Sequence, residues 1–207
     1  MQDPDRPVDQ IDQIHSIMER SATFVSLSGL SGIAAGLVGL VAARFLCRVL
    51  DTVWLTPEVC GALRTTPELV WSVVTVFMTS LVVALVLAFF FTWRKAQRQK
   101  QALWSLASRQ FGIHLALPLL AGGVFVLALW QHGTFELICP SMLLFFGLAV
   151  VNAGKYSFSE TFMFGVIELL LGVVAAFWVE AGLLLWGVGF GIVTAGYGVI
   201  MHLKYER

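Results

Sequence analysis

Glu168 is set apart by its surroundings. It sits inside an otherwise apolar run from Thr161 to Val179, with about seven residues on one side and eleven on the other. An ionisable group at that depth in a hydrocarbon layer is costly unless it is protonated, paired or wet. Gly165 and Gly172 lie three residues before and four after it, so the carboxyl falls on the small-residue face that packs against other helices. Ser31 and Thr194 are expected at similar depth on other helices, with Tyr197 one turn further in. Two chemistries fit this set. One is a proton- or cation-responsive carboxyl, and the other is a neutral glutamic acid that hydrogen-bonds between helices as a packing device.

A second constellation gathers near helix ends. His114, Asn152, Lys155, Tyr156, His202 and Lys204 could form a polar cluster that holds an anionic headgroup or a small anion, and each is equally explained as an interfacial anchor. Cys47 and Cys60 could bridge a loop in an oxidising compartment, with Cys139 left over, or all three are small apolar residues. No cysteine pair has metal-ligand spacing and the four histidines are scattered, so neither a metal nor a cofactor is expected. Walker A, GxGxxG, HExxH, GxSxG and TVGYG patterns are all missing. Serines on the first helix have no histidine at matched depth, so an enzyme is not expected.

The elements that position these residues follow from composition. Of 207 residues, 58% are hydrophobic and 13% charged, and the mean hydropathy is +0.83. Thirteen basic residues balance thirteen acidic ones, which excludes a basic nucleic-acid surface. A bilayer core needs roughly 20 apolar residues per helix. Six runs qualify, at about residues 22–46, 69–93, 110–131, 136–154, 160–179 and 181–203. The fold class is therefore all-α: a polytopic bundle of six transmembrane helices over 21–204, with a basic loop at 94–109 and a short tail at 205–207.

Orientation follows from the Lys/Arg count in the connections. With both termini inside, the inner segments hold ten basic residues and the outer ones three, namely Arg44, Arg48 and Arg64. Residues 1–20 carry Val8, Ile11, Ile14, Ile17 and Met18 at helical spacing, which predicts an amphipathic cytoplasmic segment or an extension of the first helix. Its acids argue against a leader peptide, so the first helix is expected to be retained. The run TWRKAQRQKQ suits anionic headgroups or serves as a topology determinant. Gly29, Gly32, Gly36 and Gly39, and later Gly187, Gly191 and Gly198, allow close helix contacts within the chain or between copies. Pro118 with Gly122 and Gly123 predicts a bend in the third helix.

The even-numbered helices end alike, in FFFTWRKA, AVVNAGKYS and GVIMHLKYE, which suggests three tandem two-helix hairpins. The stretch MERSATFVSLSGLSGIAAGLVGLVAA, the TWRKA and VNAGKYS segments and the closing KYER together resemble a group of uncharacterised bacterial integral membrane proteins. That resemblance implies a six-helix protein of the bacterial cytoplasmic (inner) membrane and brings no activity with it. The three-hairpin plan is also similar to HdeD-like membrane proteins, in architecture alone. Two functions remain: a non-catalytic scaffold, partner-binding or stress-related bundle, or a small transporter or channel built on Glu168. Membrane lipids are the expected partners, with a homo-oligomer through the glycine faces as a further option and no nucleic acid.

Overall fold

The computed structural model describes residues 28–99 and 106–205, and the segment 1–20 expected to be amphipathic lies outside them. Among the described residues the chain is helical and holds six helices long and apolar enough to cross a membrane. We number the helices α1 (Gly29–Leu50), α2 (Pro57–Thr65), α3 (Pro67–Gln99), α4 (Leu106–Gln131), α5 (Ile138–Gly154), α6 (Ser159–Phe177), α7 (Gly182–Gly187) and α8 (Thr194–Tyr205). A π-helical turn, Val188–Val193, joins α7 to α8, and together these make the sixth span.

Several bounds differ from those expected. Helix α1 runs four residues beyond 46, to Leu50, where Asp51 ends it in the left-handed conformation (φ 54°). Most of the predicted basic loop is helical, because α3 continues through Gln99 and α4 starts at Leu106. The short α2 was not anticipated. Its start was nevertheless written in Thr56-Pro57-Glu58, a capping threonine whose hydroxyl accepts from Val59 N at 3.5 Å, then a proline and an acid in the first turn. Helix α4 passes through Pro118 without a break, although the proline nitrogen cannot bond the carbonyl of residue 114.

Packing orders the spans. Helix α5 lies between α4 and α6, α6 abuts the sixth span, and that span lies along α1, which carries α3 on its other side. The closest approaches are made by glycines. A Cβ on Gly198 would fall 2.3 Å from Ile33 N, and one on Gly147 would fall 2.5 Å from Leu169 N. At these two crossings backbone meets backbone, so only hydrogen fits.

Interactions at both ends fix the register. At one end, His114 of α4 stacks on Tyr156, Phe158 stacks on Tyr205, and Gly29 faces His202. At the other, Leu55 N donates to Glu180 O at 2.8 Å, Trp54 meets Trp178, and Trp71 meets Trp130 edge-on. A core of Leu46, Leu143, Leu183, Trp186, Cys60 and Cys139 lies on this second side.

Candidate functional site

The seam between α6 and the sixth span holds Thr161, Glu168 and Thr194, three of the six buried polar residues among those described. Thr161, Phe164, Gly165, Glu168 and Gly172 lie on the buried face of α6, a stripe that recurs at three and four residues. Opposite them run Gly189, Thr194, Tyr197 and Lys204. Three polar rungs cross the seam.

The deepest rung holds Glu168, which has no exposed surface. Thr194 Oγ1 lies 3.4 Å from Glu168 Oε1 and 3.0 Å from Gly189 O, so its single hydrogen is shared and the carbonyl is the better placed acceptor. Oε2 has no hydrogen-bond partner. A Cβ on Gly189 would meet Oε2 at 2.5 Å and Leu143 Cδ2 at 2.6 Å. Glycine at 189 is thus what allows the carboxyl to lie against the sixth span at all. The backbone widens there too, since the π turn places Thr194 N opposite Gly189 O, five residues back.

One rung further along, Tyr197 Oη lies 2.8 Å from Thr161 Oγ1, which in turn is 3.3 Å from Ser157 Oγ. The Tyr197 ring stacks on Phe164 at 4.5 Å between centroids, with the planes only 12° apart. That stack is an apolar partition between this rung and Glu168. At the helix ends, Lys204 pairs with Glu160, and Tyr205 Oη donates to Glu160 Oε2 at 3.1 Å.

The residues singled out by type and spacing separate into groups. Thr194, expected only at similar depth, lies within 3.4 Å of Glu168, and Tyr197 lies one turn away with Thr161 as its partner. Ser31 does not join them. Gly29 faces His202, Gly36 faces Ala195 and Gly39 faces Phe190, so Ser31 is about two turns too shallow. Its hydroxyl donates to Ser28 O at 2.5 Å instead.

The expected anion cluster also divides. His114 Nε2 and Tyr156 Oη form one pair at 3.0 Å, whereas Lys204 is matched by the Glu160 carboxylate. Asn152 and His202 are half-buried, and Lys155 is exposed at the end of α5. Glu160, Thr161 and Gly189 were not anticipated as site residues. The signal for Thr161 was present, because it precedes Glu168 by seven residues and so shares its face.

Comparison with family models, with curated proteins and with solved structures found no match.

Cys47, Cys60 and Cys139 are free thiols in this structure, and no Cys47–Cys60 bridge is formed. Burial together with the Glu136 carboxylate holds the Cys60 thiol above the ordinary cysteine range, while Arg64 pulls the other way. Arg64 itself is a staple. Its Nε donates to Gly133 O at 2.8 Å and its guanidinium pairs with Glu136 at 3.3 Å, which ties α2 to the turn after α4. Beside it opens a cleft of about 440 Å³ lined by Trp71, Trp130 and His132. Among the described residues no group of three or more His, Cys, Asp or Glu is placed to hold a metal ion.

Proposed function

We propose that this chain is a non-catalytic membrane bundle, a scaffold or partner-binding subunit, in which Glu168 locks α6 to the sixth span. The observation that carries this reading is the closure over the carboxyl. A Cβ on Gly189 would fall 2.5 Å from Oε2 and 2.6 Å from Leu143 Cδ2, so the backbone of the sixth span lies directly against the carboxyl. A cation pathway needs room and several oxygen ligands at its carboxylate, whereas Thr194 is the polar side chain that reaches this one. The polar groups on the inner side of the seam are engaged with one another, Thr161 with Tyr197 and Glu160 with Lys204, which favours a role in holding helices together.

The same reading places both termini in the cytoplasm of a bacterial inner-membrane protein, on the strength of the Lys/Arg distribution. It treats the three tandem hairpins as the plan from which the bundle was built.

A second reading is favoured by one specific feature. Oε2 of Glu168 is unpartnered beside a π turn containing Gly189 and Gly191. Such turns recur at functional sites, and glycine leaves this one free to change its winding. In that reading Glu168 is the proton- or cation-responsive group of a small transporter or channel.

Flux separates the two. Purified protein in liposomes with an imposed proton or cation gradient is expected to leak no faster than protein-free vesicles, and Glu168→Gln is expected to behave identically. Flux by the parent that Glu168→Gln abolishes would make the transporter reading correct and the scaffold reading wrong.

A further inference from the structure

The second half of α1 carries two cations where a membrane helix rarely carries any. Arg44 and Arg48 are exposed, and they share a helix face with Leu40, Val41 and Phe45, which are 38%, 56% and 53% exposed. The opposite face, with Gly39, Ala42 and Leu46, is the one buried in the bundle. The arginines therefore face away from the protein, toward lipid. Among the described residues no ion pair or hydrogen bond reaches either guanidinium.

Depth sharpens the anomaly. Arg44 lies six residues before Leu50, or about 9 Å below the end of the helix. The tryptophans of this side, Trp54 and Trp178, pack together beyond that end. The Arg44 head group must then rise along the helix to reach charge or water. Its route leads toward Arg48, because residues four apart are neighbours on a helix, and two like charges so placed repel. An anion shared between them removes the repulsion and supplies the missing countercharge.

The same residues form an open groove of about 210 Å³, lined by Leu40, Val41, Arg44, Phe45 and Arg48. On its inner side the Leu40 side chain lies close to Gly191 of the π turn. Two arginines bordering an apolar groove match a phosphate with a hydrocarbon chain attached.

We propose that Arg44 and Arg48 bind the phosphate of an anionic phospholipid whose acyl chain begins in the Leu40–Val41–Phe45 groove. The site lies at the end of the bundle opposite Lys155 and Lys204, and it is independent of the role of Glu168. Planar guanidinium groups match phosphate oxygens in pairs, which a lysine ammonium cannot do.

The test is lipid titration of the purified full chain in neutral detergent, with bound lipids counted by native mass spectrometry. Phosphatidylglycerol is expected to bind more tightly than phosphatidylcholine, and excess inorganic phosphate is expected not to displace it. Arg44→Gln with Arg48→Gln is expected to weaken phosphatidylglycerol about tenfold or more. Lys155→Gln, at the far end, is expected to change nothing. The double lysine variant, Arg44→Lys with Arg48→Lys, keeps the charge and is expected to fall between parent and glutamine pair; it also decides the matter if the glutamine pair does not fold. Parental phosphatidylglycerol affinity in the glutamine pair, or in the lysine pair where that one decides, would overturn the proposal. So would displacement by inorganic phosphate, which would mark a site for a soluble anion.

Discussion

Glu168 and Gly189 are best understood as one unit, since the space that the carboxyl occupies is the space that a side chain at 189 would need. Gly189→Ala should therefore cost at most about 1 kcal/mol, the low end for overpacking, because its methyl would meet the movable ends of Glu168 and Leu143 and not backbone. In a Glu168→Ala background the methyl group has somewhere to go, so the two substitutions should couple by about 0.5–1 kcal/mol in a double-mutant cycle of unfolding in detergent. Strict additivity would mean that the contact is not a constraint. Cys60 provides a residue-scale test on the other side of the bundle. A thiol held above its ordinary range carries less thiolate at a given pH, so its alkylation should lag behind that of a free cysteine at pH 8 and catch up only as pH rises further. Arg64→Gln removes the group that lowers this thiol and should slow the reaction more. A Cys60 that alkylates at the rate of free cysteine would contradict its burial, the main cause of the raised thiol, and its placement beside Glu136.

Helix packing depends on which glycines face a backbone and which face nothing. Gly198 stands 2.3 Å, in Cβ terms, from Ile33 N, while Gly196, two residues earlier, has nothing within 4 Å. Gly198→Ala is expected to cost at least about 1–3 kcal/mol, because a backbone atom cannot rotate aside. Gly196→Ala is expected to be neutral or to stabilise by about 0.5–1 kcal/mol through helix propensity. Equal melting temperatures for the two would rule out the α1–α8 crossing described above. The sequence could not have made this distinction, since a glycine in an apolar helix reads the same on either face. The lengths of the spans were legible because bilayer thickness imposes them. The π turn was not, because nothing in Val188–Val193 departs from an apolar helical run. Ser31 was placed at the wrong depth for a related reason. Its level depends on which residue of the sixth span it faces, and neither helix carries that information.

On the scale of the whole molecule, the buried chemistry lies on α6 and the sixth span, while α3 packs mainly on α1 and α4 mainly on α5, the two meeting through Trp71 and Trp130. Both present largely apolar exposed surfaces, such as Leu85, Phe89, Leu117 and Leu120 at 60–70% exposure, as expected for helices bathed in lipid or docked on a partner. The charge distribution predicts that a reporter fused after Arg207 is active only if it works in the cytoplasm, and one inserted near Glu58 only if it works outside. The reverse pattern would invert the topology. The candidate site was legible as far as one carboxyl, one threonine and one tyrosine, because a charge within an apolar run stands out in any sequence. Its closure was not, because it comes from Gly189, one of 19 glycines, pressed by tertiary packing against a residue 21 positions away.

The most direct test of that closure is the accessibility of position 194, where a cysteine has nearly the volume of the native threonine. Thr194→Cys, in a chain whose three native cysteines are replaced by alanine, would be treated in sealed vesicles with a membrane-impermeant maleimide on either side. Labelling only after denaturation in strong detergent is the expected result, and it would leave Glu168 as a sealed link between α6 and the sixth span. Rapid labelling of the native protein from one side would show an aqueous path to the carboxyl and contradict the scaffold reading.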